Sequence, residues 1–217
     1  MSYLDISDVC VELKRKKIIK NVNVSGELGQ VLGFIGENGS GKTILFKAIC
    51  GFVKLTAGKI QVGKEEIGKD VDFPSSTGIL IENPGFIPSM TGFDNLYSLA
   101  LLMKDVSKQD VLNLIDLVGL TDSKNIKFSK YSLGMKQRLG IAQALMGNPH
   151  LVILDEPFNG LDNQAINLLL ELILKLKHEN KLVLLTSHRN EDLAKVCDKF
   201  YQVEKGHFSL IVGEYNE

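Results

Sequence analysis

The sequence contains no tryptophan, five prolines and only three cysteines in 217 residues. Cys10, Cys50 and Cys197 are odd in number and far apart, and none belongs to a C-x-x-C pair. This excludes a disulfide framework or a zinc finger and predicts the reduced thiols of a cytosolic protein. No apolar run approaches the ~18 residues of a membrane span. The N-terminus, with Asp5 and Asp8, lacks the apolar core of a signal peptide. If a membrane is involved, we expect another chain to supply it.

A charge excess of one sign is also missing. The net charge of −1 gives no global reason to expect a nucleic-acid partner. The one basic run, residues 14–17, is predicted to be a solvated turn between two strands. A hydrophobic fraction of 44% and a charged fraction of 24% are ordinary for a soluble globular domain. The composition therefore predicts one folded unit, with room for a subdomain.

The most informative stretch is residues 36–43, which fits the phosphate-loop pattern G-x-x-x-x-G-K-[ST]. The apolar run 31–35 before it predicts a buried strand, and residues 44–50 after it predict a helix. Glycines there permit positive φ, so backbone N–H groups and the helix N-terminus can face phosphate oxygens. These flanks disfavour the alternative, a Gly/Ser-rich surface turn. Lys42 is expected to reach the β- and γ-phosphates, and Thr43 to ligate Mg²⁺. The predicted nucleotide contacts are Gly36, Glu37, Asn38, Gly39, Ser40, Gly41, Lys42, Thr43 and Ile44.

A second set of polar residues follows the fully apolar run 151–154. A buried strand that ends in a carboxylate places that charge at the C-terminal edge of the sheet, where α/β proteins bind ligands. We therefore predict that Asp155 holds Mg²⁺ opposite Thr43 and that Glu156 accepts a proton from the attacking water. The alternative is a strand that ends in a charged turn. The accompanying phosphate loop argues against it.

The order of the predicted elements indicates the fold class. Residues 3–35 are predicted to form strands: residues 3–6 and 9–13, and then 18–24, alternate apolar and polar side chains, as antiparallel strands do. Residues 92–146 contain helical periodicity and no strand-like run, and apolar strands alternate with helices after them. We predict an α/β P-loop NTPase with a mostly parallel central sheet, an N-terminal antiparallel β subdomain and an inserted α-helical subdomain at about 92–146. Residues 1–217 are expected to form a single domain.

Three further motifs carry a family resemblance. Residues 131–138, Tyr-Ser-Leu-Gly-Met-Lys-Gln-Arg, resemble the LSGGQ signature followed by a basic pair. Residues 159–162, Asn-Gly-Leu-Asp, are similar to a D-loop, and residues 186–188, Thr-Ser-His, to a switch histidine. With these motifs in this order, the chain resembles the nucleotide-binding subunit of an ATP-binding cassette (ABC) transporter over nearly all of its length.

The resemblance implies a composite site. Ser132 and Gly134 would contact ATP held by a partner subunit, so a head-to-tail dimer would contain two such sites. It also implies that Asp162 contacts nucleotide and that His188 acts with Glu156 and Lys42 in catalysis. Taken alone, Ser132 would be interpreted as an ordinary helix N-cap. A lone histidine after an apolar strand would be interpreted as a satisfied polar residue.

The resemblance also implies partners and a location. The chain would be an ATPase that powers a separate membrane permease, with the helical middle and residues 82–91 docking its coupling helices. It would be cytoplasmic and peripheral on the inner face of the cell membrane, with ATP and Mg²⁺ as cofactors. No nucleic acid is expected as a partner.

The sequence departs from the family pattern at three places. Glu82 replaces the usual Q-loop glutamine, where a carboxylate is expected to act as a further Mg²⁺ ligand. Leu133 and Met135 replace a glycine and a glutamine of the signature. No aromatic residue lies near Leu13 to stack on adenine, so aliphatic residues such as Leu13 and Val11 are expected instead. Glu82 with this signature resembles a subgroup linked to bacteriocin, lantibiotic or bacitracin-type immunity and export.

Other functions fit less well. A non-transport ABC ATPase acting on DNA or ribosomes would carry coiled-coil insertions or a second cassette, and this chain has neither. A regulatory GTPase would need an N-K-x-D motif after a strand, and none is present. A weakly active nucleotide-binding module remains an alternative. The presence of Lys42, Asp155, Glu156 and His188 argues against it.

Overall fold

The computed structural model describes residues 2–82, 84–187 and 190–211. Within these ranges the chain forms ten strands and six α-helices. In order they are β1 (Leu4–Leu13), β2 (Lys16–Gly26), β3 (Val31–Ile35), α1 (Lys42–Ile49), β4 (Ala57–Val62), β5 (Glu65–Glu66), β6 (Thr77–Leu80), α2 (Gly92–Ala100), α3 (Lys108–Leu117), α4 (Leu133–Ala144), β7 (Leu151–Leu154), α5 (Asn163–His178), β8 (Leu182–Thr186), α6 (Asn190–Ala194), β9 (Lys199–Glu204) and β10 (His207–Ile211).

The strands build two sheets, and the predicted α/β fold class is confirmed. The smaller sheet has the order β2-β1-β4-β5 and is antiparallel. The larger has the order β10-β9-β3-β8-β7-β6. Its neighbouring strands are parallel from β9 through to β6, and only β10 pairs antiparallel. No helix in the described part of the chain is both long enough and apolar enough to cross a membrane.

The N-terminal prediction needs one correction. The two predicted strands at residues 3–6 and 9–13 are one continuous strand, β1, whose pairing with β2 shifts register between Ile6 and Val9. Asp8 in that interval has φ 52°, as expected where an extra residue interrupts the ladder. Lys14 and Arg15 form the exposed turn to β2 with φ of 49° and 65°. The basic run therefore begins in the predicted solvated turn.

Two hydrophobic cores lie on opposite faces of the six-stranded sheet. Successive strand residues point to opposite faces. In β7, Leu151 and Ile153 accordingly pack with α1 and the antiparallel sheet, whereas Val152 and Leu154 pack with the helices of the other face. All four side chains are fully buried. This explains why β7 reads as a continuous apolar run, which is typical of a parallel strand covered on both sides.

The described part of the segment between β6 and β7 contains three α-helices, α2, α3 and α4. Each begins at a side-chain cap: Thr91 accepts from the Asp94 N–H, Ser107 and Asp110 form a reciprocal capping box, and Ser132 caps α4. Their apolar faces belong to the same core as Val152 and Leu154. The helical segment is thereby fixed beside the C-terminal part of the sheet.

Candidate functional site: a phosphate loop and a carboxylate network

The predicted site residues converge because of the strand order. β8 lies between β3, which leads into the phosphate loop, and β7, which leads into Asp155. Thr186, the last residue of β8, pairs with Phe34 of β3, and Leu185 pairs with Leu154 of β7. Thr186 therefore stands between the phosphate loop and the acidic pair at the carboxyl edge of the sheet, where α/β proteins bind their ligands.

The glycines of the loop are required by its geometry. Gly39 and Gly41 have φ of 80° and 119°, a region that side chains disfavour. A Cβ on Gly36 would lie 2.1 Å from the carbonyl oxygen of Val203. Within the described chain, α1 has no side-chain cap at Gly41 and no acidic residue in its first turn. Its first N–H groups and its dipole therefore favour an anion.

Lys42 holds its ammonium group inside this loop. The residue is only 5% exposed, and its Nζ donates to the carbonyl oxygens of Gly36 at 2.5 Å and Glu37 at 3.1 Å. Burial lowers the pKa of Lys42, while the charges of Glu156 and Asp155 act in the opposite direction. A phosphate would supply a further negative partner for this desolvated cation.

Asp155 is the centre of a hydroxyl–carboxylate network. The Thr43 hydroxyl donates to its Oδ2 at 2.6 Å, and the Thr186 hydroxyl donates to its Oδ1 at 2.7 Å. The same Thr186 oxygen accepts from the Glu156 backbone N–H at 2.7 Å. Thr43 and Asp155 thus present hard oxygen atoms side by side, next to the phosphate loop. This donor set suits Mg²⁺, which binds proteins through one or two oxygen ligands together with substrate phosphates.

Glu156 is held in an unusual backbone conformation, with φ 51°. Such left-handed geometry in a non-glycine residue is stabilised only by its surroundings. Besides the bond to Thr186, the Glu156 carbonyl accepts from the buried side chain of Gln137, on α4, at 3.1 Å. Sequence reasoning assigned no role to Gln137 or Thr186. The available signal was their place inside two of the quoted motifs, residues 131–138 and 186–188.

A small cavity beside the loop is lined by most of the predicted phosphate-contacting residues, and one unpredicted residue joins them. The lining is Ile18, Asn38, Gly39, Gly41, Lys42, Thr43, Ile44, Asp155 and Glu156. The aliphatic contacts expected from Val11 and Leu13 are not found here: Val11 is completely buried in the core. Ile18 takes that position, because it is the β2 residue that follows the basic turn and reaches the loop.

The signature and D-loop residues lie outside this cavity. The Ser132 hydroxyl accepts from the Met135 N–H at 3.2 Å, so it is an N-cap within its own chain. Asp162 caps α5 by accepting from the Ala165 N–H at 2.8 Å. Ser132 and Asp162 are both exposed. A Cβ on Gly134 would lie 2.6 Å from the carbonyl oxygen of Gly160, so the signature and the D-loop pack closely together.

Glu82 is not brought to the other predicted metal ligands. Its Oε1 accepts from Lys47 at 2.6 Å, and its side chain is 65% exposed. It lines a separate groove with Phe52, Pro84 and Gln143. Lys47 follows Thr43 by one turn of α1, about 6 Å along the axis. The role of Glu82 as a Mg²⁺ ligand stays a prediction, and its ion pair with Lys47 does not support it.

His188, the remaining predicted catalytic residue, lies outside the described residues.

The sequence profile of the family described as ABC transporter matches residues 19–159, which include the phosphate loop, Asp155 and Glu156. The chain belongs to the ABC transporter family. It is an ATP-binding subunit of this family and an ATPase. The family resemblance inferred from the sequence is thereby confirmed.

Curated ABC relatives align over most of this subunit. YybJ of Bacillus subtilis (strain 168), an uncharacterized ABC transporter ATP-binding protein, is 36% identical over 94% of this chain and 93% of its own length. The bacitracin transport ATP-binding protein BcrA of Enterococcus faecalis is 38% identical over 88% of this chain and 62% of its own. The lantibiotic transport ATP-binding protein SrtF of Streptococcus pyogenes is 35% identical over 90% of this chain and 84% of its own length.

The fold of the ABC subunit is also found among solved structures. A structure described as the ATP binding subunit of an ABC transporter superposes with a TM-score of 0.87 at 25% identity. It covers 99% of this chain, and this chain covers 90% of it. The sheet order and the helical segment described above are therefore those of an ABC ATPase.

Proposed function

We propose that this ABC ATPase hydrolyses Mg²⁺–ATP as one half of a head-to-tail dimer and thereby drives a separate membrane permease for antimicrobial peptides. The observation that carries this proposal is the network of Thr43, Asp155 and Thr186, which ties Glu156 to the edge of the phosphate loop. It supports a site that positions a carboxylate for chemistry as well as a site that binds phosphate.

Each residue of the network has a proposed role. Lys42 and the N-terminus of α1 neutralise the phosphates, since both place positive charge inside the loop. Thr43 and Asp155 hold Mg²⁺, which supplies further charge stabilisation at the phosphate oxygens when bound. Glu156 orients the attacking water and accepts its proton. The proposed part of His188 is a hydrogen bond to the γ-phosphate and to that water.

The dimer is supported by where the signature lies. Ser132 is exposed at the start of α4, and Gly134 is partly exposed beside it; neither lines the cavity of its own phosphate loop. Leu133 between them is 60% exposed. A second copy of the chain, rotated head to tail, would cover this helix start and bring its N–H groups to the partner's nucleotide.

The permease is supported by the groove beside Glu82. Its lining combines the ion pair of Lys47 and Glu82 with apolar residues that include Phe52 and Pro84. Phe52 is 54% exposed, and its ring lies 5.8 Å from that of Phe73, which is also exposed. Two exposed aromatic rings next to a charged pair suit the apolar and polar contacts of a docked helix.

The proposed cargo and location rest on relatives. BcrA and SrtF are described as bacitracin and lantibiotic transport proteins, and together they support an antimicrobial peptide as the transported class. With a permease as partner, the subunit would be peripheral on the cytoplasmic face of the membrane. No nucleic-acid partner is proposed, in keeping with the net charge of −1.

The composite site is tested with Glu156→Gln, which keeps the shape of the side chain and removes the base. We expect wild type to turn over ATP only with Mg²⁺, and the variant to lose turnover and accumulate as an ATP-bound dimer. Multi-angle light scattering after gel filtration gives the mass, and phosphate release gives the rate.

The matched control is Glu179→Gln, the same substitution in an exposed residue just after α5, at the opposite edge of the sheet. It should turn over and remain monomeric like wild type. Turnover by Glu156→Gln at the wild-type rate would refute the assigned base. A monomer in ATP for every variant would refute the self-complementary dimer and leave a heteromeric partner to be sought.

A further inference from the structure

A second, larger cavity lies at the opposite edge of the six-stranded sheet from the phosphate loop. Its volume is about 520 Å³, within the size range of small-molecule sites. It opens where α3 faces the end of α5 and the loops that lead into β7 and β8. Its lining is Asp105, Val106, Asp110, Asn113, Leu114, Leu117, Leu145, Gly147, Asn148, Pro149, Lys175, Leu176, Glu179 and Lys181.

The floor of this cavity contains a buried cation. Lys181 is only 6% exposed, and within the described ranges its Nζ has one hydrogen bond, to the carbonyl oxygen of Asn148 at 3.3 Å. No carboxylate of those ranges forms a salt bridge with it. An ammonium group has three donors, and burying it is costly unless an anion compensates. Lys181 therefore provides an attractive position for a negatively charged group.

The walls around this cation are apolar. Leu145, Pro149 and Leu176 are buried at the floor, and Leu114 and Leu117 of α3 form a partly exposed side wall. Aliphatic carbon placed against them would be removed from water. The cavity thus combines a single deep charge with an aliphatic enclosure, which is the pattern of an amphipathic ligand site.

The other charged groups of the lining lie at the rim, and most of them form hydrogen bonds or ion pairs with other residues. The Asp110 carboxylate accepts from the N–H and the hydroxyl of Ser107. Glu179 Oε1 lies 3.9 Å from Lys175 Nζ, and both side chains are exposed. Asp105 is exposed at the mouth. These groups are exposed to water, whereas Lys181 is the buried charge of the lining.

We propose that this cavity binds a small aliphatic carboxylate, with its carboxylate on Lys181 and its chain against Leu114, Leu117 and Leu176. The site is distinct from the nucleotide site and independent of the proposed transport function. Because its walls come from α3 on one side and from the end of α5 on the other, an occupant also holds these two elements together and stabilises the native state.

The probe is octanoate. Its binding to the full chain is measured by isothermal titration calorimetry, and its effect on the melting temperature of the chain is measured by thermal unfolding. We expect a 1:1 complex with a dissociation constant of about 1 mM or tighter, near the weak end of specific binding. The melting temperature should rise with octanoate concentration. 1-Octanol, with the same chain and no charge, should bind at least about tenfold more weakly. Hexanoate should bind more weakly than octanoate, by about fourfold per missing methylene.

Two matched variants assign the site. Lys181→Met removes the charge at nearly constant volume and should weaken octanoate at least about tenfold, or about 1.4 kcal/mol. Lys175→Met makes the same change at the exposed rim and should alter octanoate binding less than about threefold. Affinity for ATP should be unchanged in both, which shows that each variant is folded.

The proposal is overturned if wild type does not bind octanoate, or if octanol binds as tightly. It is also overturned if folded Lys181→Met binds octanoate like wild type. Should Lys181→Met fail to fold, Leu114→Phe provides the second test, since it fills the side wall and keeps the cation. This variant should also weaken octanoate, and unchanged binding there would refute the assigned walls.

Discussion

Substitution of Thr186 tests whether its hydrogen bonds to Asp155 and Glu156 stabilise the candidate active site. Its hydroxyl donates to Asp155 Oδ1 at 2.7 Å and accepts from the Glu156 N–H at 2.7 Å, and the residue is fully buried. Thr186→Val replaces the hydroxyl with a methyl group of similar size. Packing is thereby kept, while both hydrogen bonds are lost.

The loss of stability in Thr186→Val follows from the polar groups that no longer have a hydrogen-bond partner. A buried N–H and one oxygen of a carboxylate lose their partner, and each such loss costs about 1–3 kcal/mol. We therefore expect the free energy of unfolding to fall by about 3 kcal/mol, a large part of the 5–15 kcal/mol typical of a domain. Turnover should fall further than stability alone requires. Glu156 loses one of the contacts that hold its φ of 51°, and misplacing a catalytic group by about 1 Å can cost 10²-fold.

Urea unfolding measures the first effect, and steady-state phosphate release at saturating ATP measures the second. Thr186→Ser is the control, because it keeps the hydroxyl and loses only a methyl group. Thr186→Ser should retain most of the wild-type free energy of unfolding and most of the wild-type kcat. If Thr186→Val matched Thr186→Ser in stability and in kcat, the network would have no energetic role and the reasoning would be wrong.

Three further changes probe other parts of the molecule. Glu82→Gln should alter the Mg²⁺ dependence of turnover less than about twofold and cost under about 1 kcal/mol of stability, because its ion pair is exposed; a higher Mg²⁺ requirement would restore the metal role. Gly160→Ala should cost about 1–3 kcal/mol in urea unfolding, since φ is 74° and the new Cβ would lie 2.6 Å from Leu133. Adding Leu133→Ala should recover part of that loss, and no recovery would exclude the contact. Burial raises the pKa of Cys50 to about 12 from 9.0, so the stability it contributes below pH 9 is lost as pH rises toward 12, by up to about 1.4 kcal/mol per unit. Cys50→Ala should show a shallower fall in urea titrations, and an equal slope would contradict this.

Local sequence determined the phosphate loop, the carboxylate pair and the fold class. These features depend on neighbouring residues: glycine spacing sets the loop, and an uninterrupted apolar run marks a strand buried on both faces. Leu151–Leu154 was therefore predicted at its observed bounds, with Asp155 and Glu156 directly after it. The helix predicted at residues 44–50 spans Lys42–Ile49, since it begins directly after Gly41 of the loop, two residues before its apolar residues start.

Tertiary structure alone decided which distant residues meet. Thr186 joins Asp155 and Glu156 because β8 lies between β3 and β7, an order that no local pattern encodes. Glu82 pairs with Lys47 because two separate segments approach there, so the Mg²⁺ role inferred by resemblance was not matched by its contacts. Lys181 reads as an ordinary charged residue before a strand. Only the tertiary structure buries it in the lining of a cavity, next to the carbonyl oxygen of Asn148, because burial depends on what the rest of the chain places around a residue.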